Sequence, residues 1–180
     1  MRNVAPIGLA LAALFASACE KKEKGANATT TANANANATA TTTATGPDAP
    51  PPKVVISNVI IAETGTTKVH VAWKLPPGTG VNDGAPFRVQ WTSSEGLQHA
   101  PEDMRAKGAD VSEGFDVSVT PTAGAPSALL AGNVDVVVCD VATHRVCVPV
   151  KRRIEMTFLA EGKAPRAEVT VALPEARPQG

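Results

Sequence analysis

The sequence has no tyrosine, only 3% aromatic residues in all, and three cysteines in 180 positions. It also lacks a net charge, with 17 basic side chains against 17 acidic ones. That balance argues against a nucleic-acid binder, because such proteins neutralise phosphates with a surplus of lysine and arginine. No second apolar run approaches the roughly 18 residues a membrane span requires, which excludes a polytopic membrane protein. The histidines, His70, His99 and His144, are scattered, and two late cysteines with one turn histidine make no closed four-ligand zinc set. Neither a metal nor an organic cofactor is expected. A hydrolase pair of Cys147 with His144 fails too, since a three-residue separation on a hairpin leaves no oriented third group.

What is present begins with an export signal. Residues 1–18 combine Arg2, an apolar stretch from Ile7 to Phe15, and the small residues Ala16, Ser17 and Ala18 directly before Cys19. This is the three-part layout of a secretory signal peptide, and its apolar core is too short to remain as a span. Small residues followed by cysteine resemble the lipobox of bacterial lipoproteins, with Ala16 where leucine is usual. The resemblance implies that Cys19 carries the lipid and becomes the new amino terminus, each buried methylene contributing about 0.8 kcal/mol to anchoring. The alternative is ordinary cleavage after Ala18 beside an incidental cysteine. Residues 19–52 are expected to be a disordered tether of Ala, Asn, Thr and Pro: nothing in the tract is large enough to bury, and Pro47 and Pro50 to Pro52 stiffen its end. The expected location is the bacterial cell envelope, as a periplasm-facing lipoprotein held by its lipid alone.

Residues 53–176 carry the period-two pattern of half-buried strands, with 177–180 as a tail. Val55, Ser57, Val59 and Ile61 alternate with their neighbours. Val69, Val71, Trp73 and Leu75 share one face, and the pattern recurs in Phe87-Val89-Trp91, Phe115-Val117-Val119, Ile154-Met156-Phe158 and Val169-Val171-Leu173. Turn residues separate the runs at Thr64-Gly65, Pro76-Pro77-Gly78, Asn82-Asp83-Gly84, Pro121 to Pro126 and Glu161-Gly162. Only Pro101 to Lys107 offers a weak helical reading. Seven or eight short strands of this kind predict an all-β chain, an immunoglobulin-like β-sandwich preceded by the tether. Its core is expected to be Val, Ile and Leu around Trp73, Trp91, Phe87 and Phe115. A monomer is expected.

The most informative segment runs from Asn133 to Lys151. If Cys139 sits opposite Cys147 in an antiparallel hairpin, Val138 faces Val148 and Val136 faces Val150, all on the core side. On the other side Asp135 falls opposite Lys151, an attractive cross-strand pair, and Val137 falls opposite Pro149. A one-residue slip would lose both matches. The sulfurs then lie on the face away from the valines, within reach of a partner. A non-hydrogen-bonded pair brings its Cα atoms to about 4.5 Å, at the short end of the disulfide range, and a strained, accessible bridge is a labile one. Arg145 and His144 would lower a thiol pKa if they point at it, and Asp140 would raise it; His144 reads equally well as an exposed turn residue. Two roles stay open for the pair: a redox site, or a structural clip worth roughly 2.5 kcal/mol by loop closure. The cationic run Lys151-Arg152-Arg153 reads as a solvated junction between strands, or as a contact for anionic lipid or an acidic partner.

The stretch Gly132 to Phe158, with a strand into Cys139-Asp140, a short turn and then Val146-Cys147-Val148-Pro149, resembles the amino-terminal periplasmic domain of DsbD-type thiol:disulfide interchange proteins. Pro86-Phe87-Arg88-Val89 and the strand from Gly114-Phe115 to Pro121 are similar to that family's preceding strands. The resemblance implies an immunoglobulin-like fold whose cysteine pair passes electrons from a thioredoxin-like donor to periplasmic disulfide proteins. Cys147 would be the attacking thiol and Cys139 the resolving one. The sequence departs from the family in having no Tyr and no Cys-x-x-Cys, so a separate electron donor is implied. The alternative is a non-catalytic envelope lipoprotein that docks a protein partner, with Cys139 and Cys147 as a clip.

Overall fold

The computed structural model describes residues 39–41, 50–143 and 145–176. The signal peptide, Cys19, most of the tether, His144 and the last four residues lie outside them. Among the described residues no helix is long and apolar enough to cross a membrane.

Among the described residues the strands are β1 (Thr39–Thr41), β2 (Lys53–Ala62), β3 (Thr67–Lys74), β4 (Thr79–Val81), β5 (Pro86–Glu95), β6 (Met104–Lys107), β7 (Gly114–Val119), β8 (Ser127–Asp140), β9 (Cys147–Gly162) and β10 (Arg166–Ala172), with a 3-10 turn at Gly108–Val111. They form an all-β sandwich. One sheet has seven strands in the order β1-β2-β9-β8-β5-β6, with β4 also on β8; the other has three, β10-β3-β7. Three residues of the tract read as tether thus pair, as β1, with the edge of β2 in the register Thr39 to Val55 and Thr41 to Lys53. The segment Pro101 to Lys107 is not helical, since its second half is β6, an edge strand on β5. Nor is Lys151 to Arg153 a junction, because β9 runs through it unbroken.

The inner faces follow from the period-two pattern, with one correction. Val54 and Ile56 are buried, and so are Val59 and Ile61, whereas Val55 and Ser57 are not. The two halves of β2 are out of phase by one residue. The shift occurs where the pairing with β9 jumps between Ile56 and Val59, and Asn58 takes φ 61° there. A bulge of this kind re-aims every later side chain, and Asn is among the few non-glycine residues that tolerate the left-handed region.

Three rings join the sheets: Trp73 lies 6.1 Å from Phe87 and 5.5 Å from Phe115, and the two Phe rings are 5.4 Å apart. Trp73 satisfies its indole by donating to the Val111 carbonyl at 2.7 Å. Trp91 sits apart from this cluster, only partly buried, over Gly132. A Cβ at Gly132 would come within 2.6 Å of its ring, so this glycine makes room for the indole.

On the outer face of the small sheet His70 Nδ1 donates to Asp116 at 2.8 Å and Lys68 Nζ lies 3.2 Å from the other carboxylate oxygen. Slight burial pulls the Asp116 pKa upward, but the His70 hydrogen bond and the Lys68 contacts outweigh it and hold it below the ordinary carboxylate value. A carboxylate depressed in this way stabilises the fold above its unfolded pKa of about 3.9 and loses that contribution as pH falls through the lower folded value. We predict that Asp116→Asn lowers stability near neutrality and makes no difference once pH is below the folded value. The pair is solvent-exposed, so the loss in urea denaturation should stay under about 1 kcal/mol.

Candidate functional site

The long strands β8 and β9 meet in the register expected from the valines: Val136 with Val150, Val137 with Pro149, Val138 with Val148, Asp135 with Lys151 and Cys139 with Cys147. The last pair forms a disulfide, with Cα atoms 4.1 Å apart. It is a non-hydrogen-bonded pair, since the ladder bond falls on the next rung, where the Asp140 amide donates to the Val146 carbonyl at 3.0 Å. The disulfide therefore closes the last rungs of the hairpin, on the face turned away from the core. The two halves are unlike. Cys147 is exposed, and Cys139 is only 4% exposed although it points away from the sandwich interior.

Neighbours on the β4 side account for that burial. Strand β4 pairs with the end of β8 and sets Gly80 beside Cys139. It is held there by the turn before it, where the Thr79 amide donates to Pro76 and the Val141 amide to Gly78, which has φ 77°. A Cβ on Gly80 would approach Val141 Cγ1 to 2.7 Å, so the absent side chain lets Val141 fold over this flank of the bridge. Val141 is itself 49% exposed, the large hydrophobic residue most open to solvent among those described.

The chain then leaves β4 through Asn82, which no sequence signal marked as more than a turn residue. Its backbone amide donates to the Val137 carbonyl at 2.9 Å, fixing it against β8. Its side-chain Oδ1 accepts from the amides of Gly84 and Ala85, each at 3.0 Å. With the oxygen engaged, the amide nitrogen is turned toward the disulfide, 3.0 Å from Cys139 Sγ and 3.6 Å from Cys147 Sγ. The loop rests on Gly108, where a Cβ would stand 1.8 Å from the Asn82 carbonyl oxygen. Gly80, Asn82, Asp83, Gly84, Cys139 and Val141 line a cavity of about 200 Å³ beside the buried sulfur.

Asp140 is used by the hairpin turn. Its carboxylate accepts from the Ala142 and Thr143 amides, at 3.1 and 3.2 Å, and from the Thr143 hydroxyl. Arg145 donates its backbone amide to the same hydroxyl at 3.3 Å. Both residues therefore build the turn that carries the cysteines, while His144 lies outside the described residues. Among the described residues no cluster of His, Cys, Asp and Glu is placed to hold a metal ion.

In chemical terms the site presents one disulfide with an accessible sulfur and an enclosed one. An external thiolate must approach along the S–S axis at one end, and only the Cys147 side is open to it. No protein-family model matches the chain, and no curated protein matches it.

Proposed function

We propose that this chain is a lipid-anchored envelope protein that exchanges dithiol and disulfide with protein partners through Cys139 and Cys147. The observation that carries the proposal is the asymmetry of the pair: an exposed Cys147 at a hairpin end, and a Cys139 shielded by Asn82 and Val141. A clip needs no such arrangement, whereas exchange does, because one sulfur must meet the partner while the other is kept for resolution. In the reducing direction the Cys147 thiolate attacks a partner disulfide, forming a mixed disulfide and releasing one partner thiolate. The Cys139 thiolate then attacks Cys147 Sγ, the partner leaves as a dithiol, and two electrons have passed from this chain to it. A thioredoxin-like dithiol donor, itself oxidised in the process, returns the pair to the reduced state. The lipid on Cys19 and the tether would keep the domain near a membrane surface while it meets soluble partners.

The reduction potential of the pair tests this reading. Full chain carrying Cys19→Ser, equilibrated in graded glutathione buffers and read by alkylation mass shift, is expected to give a value between about −180 and −270 mV, the span of known exchange proteins. A value below about −300 mV would mark a structural disulfide and overturn the proposal. The second reading, a partner-binding lipoprotein with a clip, draws on the burial of Cys139 and on the short separation of eight residues, which makes the bridge a local staple.

A further inference from the structure

Asn82 takes no part in the exchange steps, although its amide nitrogen is aimed at both sulfurs. We infer that Asn82 is the hydrogen-bond donor that stabilises Cys139 as the leaving and resolving thiolate, so that it tunes the rate of exchange. The inference rests on the exchange reading of the pair, but its test uses glutathione and needs no partner.

Three observations support it. Asn82 Nδ2 is closer to the enclosed sulfur than to the exposed one, 3.0 against 3.6 Å. The side chain has no freedom to present its oxygen instead, because Oδ1 already accepts from two backbone amides that can only donate. The backbone of the same residue is tied to β8 two residues before Cys139, through the Val137 carbonyl, so amide and sulfur move as one unit. When an external thiolate attacks Cys147 Sγ, a new S–S bond forms there, the Cys139–Cys147 bond breaks, and its electron pair goes to Cys139 Sγ. The charge appears on a residue only 4% exposed, in front of a fixed donor. A hydrogen bond to a charged acceptor in such a setting is stronger than one to a neutral sulfur, so the amide favours the transition state and the reduced product over the disulfide.

Among the described residues three charged groups lie on the segments around this sulfur. Asp83 lines the same cavity from the loop, Asp140 follows Cys139 on β8 with its carboxylate in the turn, and Arg145 lies across the hairpin end. None of them shares the position of Asn82, so a substitution there changes the donor and leaves these charges in place.

The experiment compares the full chain carrying Cys19→Ser with the same chain carrying Asn82→Asp or Asn82→Ser. Asn82→Asp keeps an oxygen for the Gly84 and Ala85 amides and sets a second, anionic oxygen against the sulfur; Asn82→Ser removes the donor without adding charge. Reduction of the disulfide by excess glutathione is followed by mass, and ionisation of the Cys139 thiol by thiolate absorbance in chains that also carry Cys147→Ser. We expect reduction to slow by about tenfold in Asn82→Asp and less in Asn82→Ser, with the thiol pKa raised in the same order. Equal rates and equal thiol pKa values in folded Asn82→Asp, Asn82→Ser and parent chains would overturn the inference. A potential below about −300 mV in the parent would instead remove the exchange reading, while a difference between variants would still show the donor at work.

Discussion

Full chain carrying Cys19→Ser and Cys139→Ser is expected to react with oxidised glutathione at Cys147 and stop there, as a stable mixed disulfide one glutathione heavier. The partner chain carrying Cys19→Ser and Cys147→Ser is expected to stay unmodified, or to react at least tenfold more slowly, because Cys139 is only 4% exposed and shielded by Val141 and Asn82. Both substitutions break the same disulfide and lose the same loop-closure stabilisation, roughly 2.5 kcal/mol, so a purely structural bridge predicts two equally weakened chains. A difference in reactivity between them therefore reports access to the two sulfurs and not stability, and the assigned roles require Cys147 to be the reactive one. Mass spectrometry after a timed exposure separates the cases, and similar reactivity at both cysteines would count against the assignment of roles.

The second large effect lies in the core. Phe87→Ala should destabilise the domain by about 3–5 kcal/mol, the range for deleting a buried aromatic ring, out of a total that for domains of this size is about 5–15 kcal/mol. Phe87 is 2% exposed, and it is the ring through which the large sheet meets both Trp73 and Phe115 of the small one. A urea midpoint shift with an unchanged slope is the expected signature. A loss below about 1 kcal/mol would mean that the two sheets do not depend on this contact.

The hairpin was legible in the sequence because several independent matches depend on a single register: two cysteines, the valines and one charge pair fall into place together or not at all. Asp135 against Lys151 and Val137 against Pro149 were as informative as the cysteines themselves. The phase of β2 was not legible in the same way. Val55, Ser57, Val59 and Ile61 read as one face because nothing in Ser57-Asn58 announces that a single residue turns left-handed; only the pairing with β9 selects it. Trp91 looked equivalent to Trp73 by spacing, yet Gly132 on the neighbouring strand gives it a separate niche. Asn82 is the most instructive case. It lies 57 residues from Cys139, and an Asn-Asp-Gly turn is so common that its type carries no sign of a sulfur contact. Its role depends on tertiary pairing of β4 with β8, which a local pattern of three strand residues is too short to reveal.

The parallel pairing of β2 with β9 bears on how the chain reaches this fold. Lys53 pairs with Arg153, a hundred residues further on, whereas Cys139 and Cys147 are only 8 residues apart in the chain. Hairpins close in microseconds, but contacts between distant segments must first meet the entropy of a large loop, and sandwiches dominated by such contacts fold in milliseconds to seconds. The β8–β9 hairpin is therefore available early, with its thiols able to find each other before the first strand of the domain has docked. Until β2 arrives, the flank of β9 from Arg153 to Gly162 is an open edge of the kind that invites pairing with other chains. The order of assembly thus makes oxidation a local event and completion of the large sheet the slow one, so the interval between them is when the chain is most exposed to aggregation.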